Sequence, residues 1–477
     1  MRALRLSEVA GAVGGRLMGA DVVVTSLAVH SSEARPGTLF VALPGARTDG
    51  HEFVGEAFAS GAAGALVERP QGTSEPAVVV DSTAEALLAL AAAERSALRA
   101  PVVGITGSVG KTSTKDMTAS VLGMRFATHA SPASFNNQVG LPLTILGADP
   151  GVGVLVCEIG GGAVGEIADL CRVARPDIGV VTTVGVAHLE TFGSRANIAR
   201  AKAELVEALP PDGLAVLNAD DRVVRGFAGR TLAAVRTFGR SQRADVRAED
   251  VTVDEMARAR FVLAVSGDRE PVRLSMPGEH MVTNALAAAA CGLALGMSAA
   301  ECAVGLERAR ISPWRMELGR AAGLLLLNDA YNASPDSVRA ALLTARRLAG
   351  GARCIGVLGE MAELGPDTDR AHREVGAAVA SLGIDVLIAV GPGAWVIAEA
   401  ALDAGMRPDR VVRSGTVEEA QEAVRRMARP GDVLLIKGSR VAALERLAAL
   451  LARGPGASSR RPARHPSPSL AGRRCGP

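Results

Sequence analysis

Val102-Val103-Gly104-Ile105-Thr106-Gly107-Ser108-Val109-Gly110-Lys111-Thr112-Ser113 sets the frame for the rest of the chain. An apolar run of strand type ends in a glycine-rich turn, and the turn runs into Lys-Thr and a helical segment. Glycines let a backbone curl until several N–H groups face one anion. A helix that starts there adds the positive end of its dipole. The stretch is therefore a phosphate cradle: the backbone of Gly107, Ser108, Val109 and Gly110, with Ser113 just behind, surrounds the anion. Lys111 reaches toward the terminal phosphates, and the Thr112 hydroxyl is placed to meet Mg²⁺. The spacing is a variant, because Ile105 stands where the usual loop has its first glycine and Gly104 is the nearest one.

The 477 residues are enough for about three domains. Only 3% of them are aromatic, so the cores must be built from Ala, Val and Leu. The net charge of +2 includes five arginines in segment 454–477, and without them the body stands at −3. That balance argues against nucleic-acid binding. The six cysteines are scattered with no C-x-x-C pair, which fits reduced thiols in a cytoplasmic protein. The most apolar run, 285–297, is too short to span a bilayer and reads as a buried helix, so no membrane insertion is expected.

The expected architecture is α/β in three domains. Residues 1–82 form a small α/β unit, with β-runs at 22–24, 38–43 and 77–80, a helix at 52–60, and a polar loop at 43–51. Residues 83–312 form a central unit, entered through a helix at 84–98. Its runs at 102–106, 154–159, 178–184 and 214–218 are nearly continuous in Val, Ile and Leu, as in a parallel sheet covered on both faces. Residues 313–453 repeat the pattern as a smaller doubly wound, Rossmann-like unit, with strands at 324–328, 353–358, 386–390, 411–413 and 433–436. The Arg- and Pro-rich segment 454–477 cannot support a core and reads as disordered.

Polar residues gather where strands end. Glu158 closes its run at the ligand-facing edge, where it can complete an Mg²⁺ shell begun by Thr112. His188 follows 178–184 in the same way. Lys202 lies on a helix and nothing in its spacing distinguishes it. The amide-rich loop Ser134-Phe135-Asn136-Asn137-Gln138 suits a phosphate or metal-bound water, or a capped turn. Further clusters are His280 to Asn284, Arg315, the stretch Asn328-Asp329-Ala330-Tyr331-Asn332-Ala333-Ser334-Pro335-Asp336-Ser337, residues 358–365 with His372 beyond them, and Lys437-Gly438-Ser439-Arg440.

Together these clusters resemble the Mur ligases across residues 1–453. DAYNASPDS, LGEMAELG and KGSR resemble the branch of the family that adds a dipeptide. The resemblance implies an ATP-dependent carboxylate–amine ligase. It would join D-alanyl-D-alanine to a UDP-linked muramoyl tripeptide through an acyl phosphate, in peptidoglycan precursor synthesis. It also implies roles. Lys111 and residues 107–113 hold ATP, Asn284 meets adenine, Arg315 a phosphate and Asp329 the ribose. Thr112 and Glu158 bind a first Mg²⁺. His188 and Lys202 serve a second, with Lys202 carbamylated, and Lys111, His188 and Lys202 are the catalytic set. The first unit takes the uridine nucleotide through Ser31 and Arg47. Asn137, Tyr331, Asn332, Lys437 and Arg440 line the substrate cleft. Small-molecule substrates, a monomer and a cytoplasmic location complete the expectation.

Three positions depart from the family pattern: His30 where an Asp is usual, Met281 where an Asn is usual, and Ser134 where an Asn is common. Two rival readings use the same residues. One is a ligase of this build adding a single amino acid, such as a folylpolyglutamate synthase; DAYNASPDS argues against it. The other is a non-catalytic nucleotide-binding scaffold, against which stands the intact set of Lys111, Glu158, His188 and Lys202.

Overall fold

The computed structural model describes residues 1–45, 48–70 and 74–452. Arg47 and segment 454–477 lie outside the described residues. Three large sheets follow one another along the chain, in the three-domain α/β arrangement expected.

The central sheet has nine strands and positions the phosphate loop. Val102–Thr106 lies between Val154–Glu158 and Ile178–Val181, parallel to both and buried along its whole length. The chain leaves it first to one side and later to the other, which opens a crevice at the strand ends. Parallel pairing continues through Leu214–Asn218 and Ala234–Gly239 to Val246–Val253.

Beyond these parallel strands the sheet carries an antiparallel extension for which the sequence reading named no strands. Val246–Val253, Arg258–Val265 and Asp268–Pro277 pair antiparallel as a ribbon. The sequence there alternates, as in Arg258-Ala259-Arg260-Phe261, and the alanine and phenylalanine are buried. A sheet with one wet face needs alternation, whereas a sheet covered on both faces needs continuous apolar runs. The ribbon's buried face meets the helix Met281–Ala294, which also packs on the phosphate-loop helix Lys111–Leu122. Its alanines, 285 and 287–290, are fully buried, and their small side chains allow that close approach.

The first unit holds a five-stranded sheet in which Ala62–Val67 is a buried inner strand not anticipated from sequence. The helix Thr83–Ala97 leads out of it, capped by the Ser82 hydroxyl, which accepts from the Glu85 N–H. At its far end Arg95 donates to the carbonyls of Ala174 and Leu98, tying the helix to the central unit. The third unit holds six strands. Glu317–Ala321 adds an antiparallel edge to Leu324–Asn328, and the remaining pairs are parallel. No helix among the described residues is long and apolar enough to cross a membrane.

Candidate active site

The phosphate loop is held from the neighbouring strand end. The Ser108 N–H donates to the Thr183 carbonyl at 2.9 Å, and the Thr182 hydroxyl donates to the Val109 carbonyl at 2.6 Å. Gly107 has φ +144°, and a Cβ there would lie 1.9 Å from Thr182 Oγ1, so only glycine fits. Gly110 caps the helix Lys111–Leu122 with φ +83°, and a Cβ there would meet Asn284 Oδ1 at 2.6 Å. Asn284 is thus brought from 174 residues away to the lip of the loop; its own Nδ2 donates to Met281 Sδ at 3.5 Å. Lys111 Nζ donates to the Gly107 carbonyl at 2.8 Å, which folds the side chain over the loop. Desolvation lowers its pKa, while Glu158 acts in the opposite direction.

On one flank the Thr112 hydroxyl donates to Glu158 Oε2 at 2.7 Å, and Asn136 Nδ2 donates to Oε1 at 2.7 Å. The Glu158 N–H donates to Ser131 Oγ, which fixes the strand end itself. Thr112 and Glu158 are both buried. Of the two adjacent amides, Asn136 is the one that reaches the carboxylate. Asn137 turns away and its Oδ1 accepts from the N–H groups of Val139 and Gly140, as a helix cap. The sequence reading gave Asn137 as a substrate contact and assigned no separate role to Asn136, whose bond to Glu158 depends on the turn geometry. We predict that Asn136→Ala lowers turnover by about 10- to 100-fold and raises the Mg²⁺ concentration needed for half-maximal rate, because a carboxylate without its partner loses its aim. A Mg²⁺ titration of the variant checks this.

Behind the loop lies Lys202, 1% exposed, on the helix Arg195–Glu207. Its Nζ has no hydrogen-bond partner and stands 5.3 Å from the centre of the Phe192 ring. Burial, then the charge of Lys111, push its pKa down to about 7, against the pull of Glu204, Glu166 and Glu158. His188 adopts a left-handed conformation, φ +63°, and its Nδ1 pairs with Glu363 of the third unit. The Glu190 N–H donates to the Glu363 carbonyl at 3.0 Å, so this junction is doubly fastened. Glu363 was not singled out from sequence.

The third unit brings the rest of the cluster across. Arg315 stacks on Tyr331 at 4.0 Å, and its Nε is buried without a partner. The Tyr331 hydroxyl bonds Ser134 of the central unit. Arg440 lies 4.9 Å from the Trp314 ring and pairs with Glu445. Asp329 accepts from the Met316 N–H and from Lys437. Lys437 is 2% exposed and also donates to the Asn332 carbonyl at 2.9 Å. Its ammonium is engaged by Asp329 and the backbone in this arrangement. Asn332 accepts the Ala333 N–H through its own side chain. His372 is buried, donating to the Thr368 carbonyl and accepting the Met361 N–H, and so braces the loop that carries Glu363. Ser31 opens a short 3₁₀ turn in the first unit, remote in sequence from these groups, and among the described residues its side chain bonds none of them.

Among the described residues no group of three or more His, Cys, Asp or Glu side chains is gathered to hold a metal ion. One carboxylate beside a threonine hydroxyl suits Mg²⁺ nonetheless, since that ion keeps several waters and takes its remaining ligands from phosphates.

Family profiles described as "Mur ligase family, catalytic domain", "Mur ligase middle domain" and "Mur ligase, glutamate ligase domain" match residues 23–95, 105–292 and 314–440. The UDP-N-acetylmuramoyl-tripeptide–D-alanyl-D-alanine ligase of Mycobacterium tuberculosis H37Rv is 39% identical, over 96% of this chain and 99% of its own. The crystal structure of MurF from Acinetobacter baumannii superposes with a TM-score of 0.85 at 31% identity, covering 94% of this chain and 99% of that one. MurF from Thermotoga maritima, solved in complex with ADP, gives 0.78 at 29% identity, covering 90% and 97%. Folylpolyglutamate synthase from Mycobacterium tuberculosis shares the fold at 20% identity and a TM-score of 0.62. With three profiles following the three sheets in order, and similarity running nearly end to end, the chain belongs to the Mur ligase family.

Proposed function

We infer that the protein is the ATP-dependent ligase that joins D-alanyl-D-alanine to UDP-N-acetylmuramoyl-tripeptide, a step of peptidoglycan precursor synthesis. The observation that carries this is similarity to enzymes of that name through the whole chain, the third unit included. The tripeptide's terminal carboxylate attacks the γ-phosphate of ATP, giving an acyl phosphate and ADP. The dipeptide amine then displaces phosphate. A carboxylate is a poor acyl donor until its oxygen becomes a good leaving group. The transfer itself needs mainly positioning and charge neutralisation.

We assign the phosphates to Lys111 and the backbone of 107–112, and Mg²⁺ to Thr112 and Glu158. Bound there, the ion neutralises charge on the phosphates. Asn284, Arg315 and Asp329 surround the nucleotide, and closure of the third unit brings the last two into place. Lys202 is the most informative of these groups. An ammonium cannot ligate a metal, and an unpartnered buried amine is costly. A pKa near 7 leaves much of it uncharged at neutral pH, as addition to CO₂ requires. In that addition the N–C bond forms and nitrogen loses a proton, leaving a carbamate. We propose that this carbamate, with His188, faces a second Mg²⁺. The uridine nucleotide goes to the first unit, with Ser31 and Arg47 at its contacts. Domain limits of 1–82, 83–312 and 313–453 fit the three sheets. ATP use and the five buried, unpaired cysteines among the described residues favour a cytoplasmic location.

The test is ADP release with UDP-muramoyl tripeptide and ATP, comparing D-Ala-D-Ala with D-Ala, D-Glu and a diamino acid. Release with the dipeptide alone is expected. Release with a single amino acid would keep the ligase chemistry and overturn the acceptor. ATP binding without release under any acceptor would favour a scaffold.

A further inference from the structure

The helix Pro335–Ala349 starts at the inter-unit crevice, and its first turn is locked. The Ser334 N–H donates to Ser337 Oγ at 2.9 Å, Ser337 Oγ donates back to the Ser334 carbonyl at 3.0 Å, and Pro335 presets the backbone. Asp336 projects from that turn and is exposed. Its carboxylate comes down on Gly185 of the central unit: a Cβ at 185 would stand 3.1 Å from Asp336 Oδ2 and 3.6 Å from Ser108 Cβ. The Gly185 N–H in turn donates to Ser108 Oγ at 2.9 Å. The third unit therefore sets a carboxylate at the edge of the phosphate loop. Among the described residues that carboxylate has no hydrogen-bond or ion-pair partner.

A bare carboxylate beside a phosphate site repels the phosphates unless a cation comes between them. The carboxylate assigned to Mg²⁺, Glu158, ends the strand on the opposite flank of the loop from 178–185. A second Mg²⁺, assigned above to His188 and Lys202, already has its own protein ligands; the remaining cation in the reaction is the incoming amine, which is largely an ammonium at neutral pH. We propose that Asp336 binds the ammonium of the acceptor dipeptide and takes its proton. This rests on the ligase reading above. The ammonium gives one proton to Asp336, and the free amine attacks the acyl carbon. The C–N bond forms and the C–O bond to phosphorus breaks. The second nitrogen proton leaves with the phosphate as HPO₄²⁻, and Asp336 returns its proton to water.

The full-length Asp336→Asn variant separates this from a role in ATP or metal binding. Its side chain is exposed and unbonded, so the change costs the fold only the interaction of that charge with the first turn of its helix. With the dipeptide at pH 7, kcat/KM falls about 10²-fold with a raised KM. Below pH 8 the variant loses a further factor of about ten per pH unit, following the free amine. The parent enzyme stays nearly level over that range. Asp336→Glu recovers part of the rate. Hydroxylamine, uncharged at neutral pH, traps the acyl phosphate as a hydroxamate at the parent rate in every variant. Unchanged dipeptide turnover in Asp336→Asn would overturn the proposal. So would an equal loss of hydroxamate, which would put Asp336 on the nucleotide side. Absence of hydroxamate from the parent enzyme would instead remove the acyl-phosphate reading itself.

Discussion

Lys111→Ala loses ADP release by ~10³-fold or more while its thermal unfolding stays within a few degrees of the parent. Lys111 is the first residue of the helix Lys111–Leu122, and its Nζ is held by the Gly107 and Ser108 carbonyls. Those bonds pin the ammonium over the cradle at little entropic cost when charge builds on the transferring phosphoryl group. No other lysine or arginine of the central unit is bonded to the loop backbone among the described residues, so no neighbour replaces it. Alanine is a good helix former at that position, and the glycine turn is held independently by Thr182 and Thr183. Coupled ADP release gives the rate, and a circular-dichroism melt gives the fold. Turnover near the parent rate would move the phosphate site elsewhere.

Lys202→Met separates activity from stability in opposite directions. Methionine matches the stem length and fits against Phe192 without bringing a charge into the interior. Turnover falls by ~10²-fold or more, since a thioether cannot form a carbamate. Stability in CO₂-free buffer at pH 7 rises by about 1 kcal/mol or more, because an unpartnered buried amine is removed. The pH dependence follows from the shift. The folded amine titrates near 7 and the unfolded one near 10.5. Between these values the unfolded chain binds more protons, so this group's contribution to stability is full above pH 10.5. It declines as pH falls and is gone below pH 7. The methionine variant loses that slope. Denaturant unfolding of both proteins at pH 7 and pH 9 measures it. Withdrawal of bicarbonate slows the parent enzyme and leaves the variant's residual rate unchanged.

Much of the site is legible in the chain because its parts are local. The cradle from Gly107 to Thr112 is a single turn whose glycines, lysine and threonine act within a few residues of each other. Glu158 and His188 are placed by the strands just before them, which must run inward and release polar groups at their ends. The outer ribbon from Val246 to Pro277 is less legible, since alternating residues announce one wet face but not which sheet they extend. The choice between Asn136 and Asn137 is not legible at all, because one peptide step reverses the direction of a side chain.

By itself the sequence determined the strand–loop–helix assigned to phosphate, the α/β build in three parts, and the family. These follow from backbone freedom, burial and short spacings, which act over one element at a time. The tertiary structure alone decided which groups meet across the crevice: Glu363 with His188, Tyr331 with Ser134, and Asp336 over Gly185. It also decided which charges are already spent, as Lys437 is on Asp329, and which are left bare, as Lys202 is. A partner 175 residues away has no local signature. Its identity comes only from how one unit packs against another, and the burial that lowers the pKa of Lys202 comes only from how its helix packs within the central unit.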